Sequence, residues 1–278
     1  MTEPATGETL SPSTTLPPAT GRRWEWLPFA LIIGLTTVAI IVAMIITPSF
    51  LTVDNIRAIL RNASIVGIVA VAMTPMTLSG NFVSLAISQS AMLAMVCFVA
   101  LVGDGWPQPL AMLVVVAGLI VVGVLQGIVV ATGLNPIITT LAAGAIIFGV
   151  VTEITGAGIV RAGDYLVSWG SGTVVGIPIQ VLIFLIFTIV VSLLMSRTVT
   201  GRETMLLGAN RATARISGIS VTRVTILAFA IFSVGLAIAG ILNGAAFNQA
   251  TSRSFTNLTI DVIAALLVGG TAIQGGQG

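Results

Sequence analysis

Small polar side chains interrupt a long apolar stretch of the chain between residues 74 and 90. Pro75 and Gly80 break the helical pattern there, and serine, asparagine and glutamine side chains surround them. Where a helix is broken inside a bilayer, freed backbone groups and nearby hydroxyls can hydrogen-bond a polar solute. The predicted lining of such a solute path is Gly80, Asn81, Ser84, Ser88 and Gln89, together with Asn135. The alternative is that these small polar residues only join helix to helix.

The longest polar stretch after the N-terminal tail, Gly201–Val224, could bind a partner protein. Its pattern predicts a single short amphipathic helix bracketed by Gly208 and Gly218. The apolar face of this helix would carry Ala212, Ile216 and Ile219, and another face would carry Arg211 and Arg215. An apolar stripe edged by charge is typical of a helix that docks into a partner's groove. The alternative is a solvated loop whose arginines only set the membrane topology.

The residue types needed for covalent or metal chemistry are nearly missing from this chain. Its 278 residues include no histidine and no lysine, which excludes an imidazole base, a lysine Schiff base and a Walker-type phosphate loop. The single cysteine, Cys97, lies in an apolar run and is interpreted as a small buried hydrophobic residue. We therefore expect this chain to be no enzyme and to bind no metal or cofactor itself.

The composition is that of a protein surrounded by lipid. Hydrophobic residues make up 56% of the chain and charged residues only 7%, whereas a soluble domain carries about 25% charged residues. Most of the surface must therefore face lipid. The net charge of +2 does not indicate nucleic-acid binding, because the arginines lie beside apolar runs, where topology explains them.

Apolar runs recur at the length of about 20 residues that a bilayer requires. Their bounds are Leu27–Thr47, Asn62–Leu78, Val83–Val102, Leu110–Ala131, Pro136–Thr152, Ile177–Met195, Val224–Phe247 and Leu258 onward. They predict an all-α, polytopic transmembrane helix bundle of about eight spans, with broken helices lining a path. Residues 1–23, rich in Thr, Pro and Ser, are predicted to form a disordered cytoplasmic tail, and residues 24–278 the transmembrane domain. The glycine-rich segment 154–176 is predicted to be a short re-entrant or surface element.

The distribution of arginine predicts the orientation of the chain. With a cytoplasmic N-terminus, the six spans before residue 197 return the chain to the cytoplasm. The arginines then inside are Arg22, Arg23, Arg197, Arg202, Arg211, Arg215 and Arg223, against four outside. This majority follows the positive-inside rule and places the segment 197–223 in the cytoplasm.

Intramembrane charge is too scarce for a proton-coupled mechanism. Glu153 lies at the end of a span, and Asp261 is placed towards the outer end of the last one. A carrier driven by protons needs a titrating side chain in its path, so the pattern favours a conduit moved by a separate motor chain. The small-residue pairs Gly123/Gly127 and Gly240/Gly244 are interpreted as packing contacts between helices.

Three stretches resemble the membrane permease of ABC-type sugar importers, in the branch for ribose, xylose and galactose. Gly208–Val221 is similar to the family's cytoplasmic segment, which contacts the ATPase. Gly133–Leu141 resembles its G-x-x-P-[FA]-I-x-T-L element, and Asp261–Gly278 resembles its D-x-I-A-A-x-x-x-G-G-T-x-x-x-G-G-x-G element. One stretch departs from the family: Asn81 and Val83 replace the second Gly and the Asp of S-G-G-I-D-L-S-V-G-S. The solute therefore need not be a simple pentose or hexose.

The resemblance implies a permease subunit of a bacterial inner-membrane importer that works by alternating access. ATP would be hydrolysed by separate ATPase subunits, a periplasmic solute-binding protein would deliver the solute, and a second permease subunit would complete the path. The residues expected to dock the ATPase are Leu207, Gly208, Asn210, Arg211, Ala214, Arg215, Gly218 and Ile219. The family continues beyond this chain's last element, so we expect about ten spans in the complete protein and a truncated C-terminus here. A stand-alone secondary carrier or channel is the alternative.

Overall fold

The computed structural model describes residues 27–47, 50–80, 83–165 and 167–270. It divides the chain into two compact units, Met1–Asn55 and Ile56–Gly278. The predicted tail at residues 1–23 and the glycine-rich residues 271–278 lie outside the described residues.

The first unit contains one long apolar helix, α1 (Leu27–Ile46). No charged residue interrupts its 20 residues, so it has the length and composition of a membrane span. Near the end of this unit, the Asn55 side-chain amide donates a hydrogen bond of 2.7 Å to the Phe50 carbonyl oxygen.

The second unit is a helix bundle with a small amount of β-structure. Helix α2 begins shortly before the unit boundary and continues into this unit. The helices are α2 (Val53–Leu78), α3 (Ile87–Gly103), α4 (Gln108–Ala131), α5 (Pro136–Thr155), α6 (Ile179–Arg197), α7 (Val199–Ala209), α8 (Arg211–Ile216), α9 (Val221–Phe247) and α10 (Leu258–Val268).

Among the described residues of the second unit, five helices are long and apolar enough to cross a membrane, namely α2, α4, α5, α6 and α9. Shorter apolar helices cover Ile33–Ile46 within α1, Ile87–Gly103 and Leu258–Val268. Each of the eight predicted runs therefore corresponds to an apolar helix, because hydrophobic length alone fixes where such helices form. The predicted all-α, polytopic membrane fold is confirmed.

Helix α9 is the centre of the second unit, and glycines bring its neighbours close to it. A methyl group at Gly240 would lie 2.5 Å from the Ala91 carbonyl oxygen of α3, and one at Gly123 of α4 would overlap Ser233 of α9. The absence of side chains at these glycines lets the backbones approach, as is usual where helices pack in membranes. The prediction that the small-residue pairs are packing contacts is confirmed.

Helix α2 begins more than two turns before its predicted start at Asn62. The predicted apolar run begins only after Val53–Arg61, a stretch that contains two arginines. In the structure the helix includes both arginines, and their side chains donate hydrogen bonds to carbonyl oxygens of the loop before α6. Arg57 donates to the Gly176 carbonyl oxygen at 3.3 Å, and Arg61 donates to the Ser171 carbonyl oxygen at 2.8 Å.

The end of the bundle that carries this loop also has two pairs of short antiparallel strands. β1 (Ile159–Arg161) pairs with β4 (Gln249–Thr251), and Val160 lies opposite Ala250. β2 (Thr173–Val174) pairs with β3 (Ile177–Pro178) through a tight turn. The predicted short surface element at residues 154–176 thus begins with the last turn of α5 and then forms a strand-bearing cap.

Candidate functional site

The predicted docking segment contains two short helices, α7 and α8, and α8 is the one short helix between Gly208 and Gly218. Helix α7 ends at Ala209, and Asn210 adopts an extended conformation before α8 begins. The Asn210 side-chain oxygen accepts hydrogen bonds from the amides of Ala212 at 3.0 Å and Thr213 at 3.1 Å. This N-cap separates α8 from α7 within the polar stretch.

The apolar residues that are buried in this segment are not those of the predicted apolar helix face. Leu207 and Ala214 are buried against Val224 of α9, with Ile219 packed partly against them. Ile216 is 89% exposed, because α8 ends there and Gly218, with φ of +80°, redirects the chain. The segment is thus held to the bundle by Leu207 and Ala214, and it projects Ile216 into the surroundings.

Arg211 links this segment to the end of α2. Its guanidinium donates a hydrogen bond of 3.3 Å to the carbonyl oxygen of Gly80. Gly80 has a φ of +72°, and a methyl group there would lie 3.5 Å from the Cα of Gly208. Two predicted sites, the docking segment and the start of the solute path, are therefore in direct contact.

The path residues that follow Gly80 are well bonded within the protein. The Ser84 hydroxyl is fully buried and accepts a hydrogen bond from the Ala86 amide at 3.2 Å. Residues 83–86 are not helical, although the predicted span began at Val83. One of their backbone donors, the Leu85 amide, is satisfied by the Thr140 hydroxyl at 3.1 Å. The helix starts only at Ile87.

Helices α3 and α10 meet at their first turns. The Ser88 amide donates to the Thr259 hydroxyl at 3.3 Å, and the Thr259 amide donates to the Ser88 hydroxyl at 3.2 Å. Gly240 packs against Ala91 and Gly244 against Phe98. Helix α3 therefore runs in the same direction as α9 and begins beside its middle, as one half of a broken helix does.

The remaining predicted path residues lie apart from this junction. The Gln89 side-chain oxygen is buried without a hydrogen-bond partner and lies near Gly144 of α5. Asn135 is exposed and caps α5, where its side chain accepts from the Ile137 amide at 2.9 Å. Asn81 lies outside the described residues. The structure therefore does not bring all six path residues to one cavity, and their role stays a prediction.

Two cavities of the second unit have the wrong lining for a polar solute. One of about 430 Å³ lies between α4 and α5 and has mostly aliphatic walls, with Gln126 and Asn135 among them. Another of about 400 Å³ lies beside α3 and α4 and is also mainly aliphatic. In the described part of the chain, no group of three or more His, Cys, Asp or Glu side chains could hold a metal ion.

A smaller pair of cavities is polar, and the sequence analysis did not find it. The first, of about 270 Å³, is lined by Asn62, Ile65, Val66, Asn243, Phe255, Asn257, Leu258 and Asp261. The second, of about 230 Å³, is lined by Met95, Asn243, Phe247, Gln249, Thr251, Ser254 and Phe255. The sequence pointed to these cavities through Asn243 and Asp261, the polar residues of two apolar runs. That both lie close to Asn62 is visible only in the fold.

Comparison with known proteins places the chain in a family. Residues 55–276 match the model of the branched-chain amino acid transport system permease component. A ribose import permease protein of Haemophilus influenzae is 30% identical over 249 residues, which cover 87% of this chain and 76% of that protein. A ribose import permease protein of Escherichia coli is 29% identical over 269 residues, covering 93% of this chain and 83% of that protein.

An autoinducer 2 import system permease protein of Yersinia enterocolitica is 28% identical over 221 residues, covering 77% of this chain and 66% of that protein. No solved structure matches the chain. The family match covers most of the helices described above, from α2 to α10. The chain therefore belongs to the family of branched-chain amino acid transport system permease components, and it is a permease subunit of an ATP-binding-cassette importer.

Proposed function

We propose that this permease imports a sugar, or a similarly small polyhydroxylated solute, across a bacterial inner membrane by alternating access. The relatives' names support the solute class, because two of them are ribose import permeases. In this proposal the N-terminus is cytoplasmic, ATPase subunits dock on segment 197–223, and a periplasmic solute-binding protein delivers the solute. A second permease subunit, identical or related, completes the path.

The observation that carries the proposal is the contact between Arg211 and Gly80. A motor protein acts on a transporter only if the surface that it grips is connected to the solute path. Gly80 follows the end of α2, and the Arg211 guanidinium donates a hydrogen bond to its carbonyl oxygen. A shift of α8 would therefore pull on the chain that leads to Ser84 and Ser88.

Ile216 is the candidate anchor for the ATPase. Its side chain is 89% exposed at the end of α8, next to Arg215. A protruding aliphatic side chain beside a charge suits a partner's apolar pocket with a polar rim. Leu207 and Ala214 hold the segment on α9 from the other side.

The test is an Ile216→Glu variant of the permease, co-expressed with its ATPase subunit. A buried carboxylate at the interface should reduce the ATPase recovered with the permease by at least tenfold, since burying an unpaired charge is costly. The matched control is Val175→Glu, because Val175 is 96% exposed at the opposite end of α6. Equal ATPase recovery with both variants would contradict the docking proposal.

The competing function is tested by transport without the motor. Purified permease in liposomes should not transport ribose when only an ion gradient is applied. This chain supplies no titrating intramembrane pair that could couple such a gradient to transport. Ribose uptake by the permease alone would overturn the proposal in favour of a secondary carrier or channel.

A further inference from the structure

We propose that the two polar cavities that share Asn243 and Phe255 form the permease's own binding site for a small neutral polyol. This inference rests on the proposed function and names the residues that would hold the solute. The walls come from α2, α3, α9, β4, the loop that follows β4, and the first turn of α10. The site thus lies at the end of the bundle opposite segment 197–223.

The lining has the hydrogen-bonding pattern that hydroxyl groups need. The amide side chains of Asn62, Asn243 and Asn257 each offer donors and acceptors, and the Asp261 carboxylate offers acceptors only. A sugar hydroxyl both donates and accepts, so it can pair with every one of these groups. The second cavity adds Gln249, Thr251 and Ser254.

The charge of the lining separates a neutral polyol from an anion. No arginine is among the described residues that line the two cavities, and the whole chain contains no lysine. A carboxylate or phosphate on an anionic solute would therefore lack a cationic partner and would approach Asp261. A neutral monosaccharide avoids this repulsion, so the site should accept it and reject an anionic sugar acid such as gluconate.

Asn243 marks the centre of the site. Its side-chain oxygen is buried and has no hydrogen-bond partner in the structure. Buried polar atoms are almost always paired, because leaving one unpaired is unfavourable. The residue lines both cavities, so its side-chain amide is a polar group that they share.

Phe255 provides the apolar surface that a sugar ring also needs. It has a φ of +63°, a conformation that is strained for a bulky residue. Its ring packs against both large core clusters of the second unit, which hold it in place between the two cavities. Aromatic rings with a few surrounding polar groups are the usual composition of small-molecule sites.

The site is also joined to the broken-helix junction. Leu258 lines the first cavity, and Thr259, the next residue, exchanges hydrogen bonds with Ser88 of α3. Ser88 lies eight positions after Gly80, whose carbonyl oxygen accepts a hydrogen bond from Arg211. Bound solute and docked ATPase would thus act on the two ends of one connected stretch.

The experiment uses the complete importer, reconstituted with its ATPase and binding protein, and radiolabelled ribose as the probe. Wild-type uptake is measured first, and its absence would count against the proposed function and against the site together. With uptake established, Asn243→Leu should lower it at least tenfold while the ATPase still co-purifies. The matched control is Gln126→Leu, a buried amide on α4 away from both cavities, which should retain uptake within twofold.

A labelling experiment keeps the inference testable if Asn243→Leu does not fold. Ser254→Cys and, as a control, Val175→Cys are made in a Cys97→Ala background. Ribose should slow maleimide labelling at position 254 and leave labelling at position 175 unchanged, and the anion gluconate should protect neither. Normal uptake by Asn243→Leu, or protection of position 254 by gluconate and not by ribose, would overturn the site while leaving the importer assignment intact.

Discussion

Ser88 and Thr259 form reciprocal hydrogen bonds that join the first turns of α3 and α10. The two hydroxyl oxygens are 2.8 Å apart, and each accepts a hydrogen bond from the other residue's amide. Two half-helices that begin inside the bundle leave free amides at their N-termini. This reciprocal pair satisfies one amide from each helix without water. The positions are 171 residues apart in the chain, so the junction ties its first third to its last.

We predict that Thr259→Val weakens this junction. The variant keeps the side-chain volume but removes the acceptor for the Ser88 amide, so the unfolding midpoint in detergent should fall. The loss should correspond to about 0.5–2 kcal/mol, the range for N-caps and for hydrogen bonds between membrane helices. Thr259→Ser retains the hydroxyl and should stay close to wild type. If Ser88→Ala and Thr259→Val add without coupling in a double-mutant cycle, the pair does not act as described.

We predict that Gly240→Ala is strongly destabilising. The added methyl group would lie 2.5 Å from the Ala91 carbonyl oxygen, so α3 and α9 would have to separate. Overpacking of this kind costs about 1–3 kcal/mol, which thermal unfolding in detergent can measure. Gly149→Ala is the control, because no atom lies within 4 Å of a methyl group there. A similar midpoint for the two variants would contradict the close packing.

We predict that Arg211→Ala uncouples ATP hydrolysis from transport. Loss of the 3.3 Å hydrogen bond to the Gly80 carbonyl oxygen removes one connection between α8 and the end of α2. Ribose uptake per ATP hydrolysed should fall about two- to fivefold, as expected for a coupling energy of about 0.5–1 kcal/mol. Arg161→Ala, an exposed arginine of β1, should leave the ratio unchanged. An unchanged ratio in Arg211→Ala would remove this contact from the mechanism.

We predict that Asn248 fixes the strand-bearing end of the bundle. Its side chain accepts a hydrogen bond of 2.7 Å from the Val167 amide and donates one of 3.2 Å to the Val167 carbonyl oxygen. Asn248→Gly keeps the left-handed backbone conformation, φ of +52°, but removes both bonds. The unfolding free energy should drop by about 1–3 kcal/mol. Asn248→Asp, which keeps only an acceptor, should fall between Asn248→Gly and wild type.

The helices were predictable from the sequence because the length of an apolar run determines them. A run of about 20 apolar residues must be helical in a bilayer, since its backbone groups have no other partner. The run Leu110–Ala131 therefore matches α4 (Gln108–Ala131) closely. The start of α2 was missed because the predicted apolar run begins only after Arg57 and Arg61. Their partners, the carbonyl oxygens of Gly176 and Ser171, lie more than a hundred positions away.

The candidate sites were less predictable because they depend on contacts between distant residues. Asn210 ends one helix and starts the next through its own side chain, a local choice that hydrophobic periodicity does not register. The polar cavities join Asn62 to Asp261 across most of the chain. Neither residue carries a motif by itself, so no pattern in the sequence connects them.

The glycine contacts of α9 restrict which parts of this permease can move. Ala91 of α3 packs against Gly240, and Ser233 lies against Gly123 of α4. Positions 233 and 240 are seven residues apart, so the two contacts lie on nearly the same face of α9 at different heights. A slide of α3 or α4 along α9 would force backbone atoms together at these points, so we expect the three helices to move as one body during alternate opening towards the two sides of the membrane.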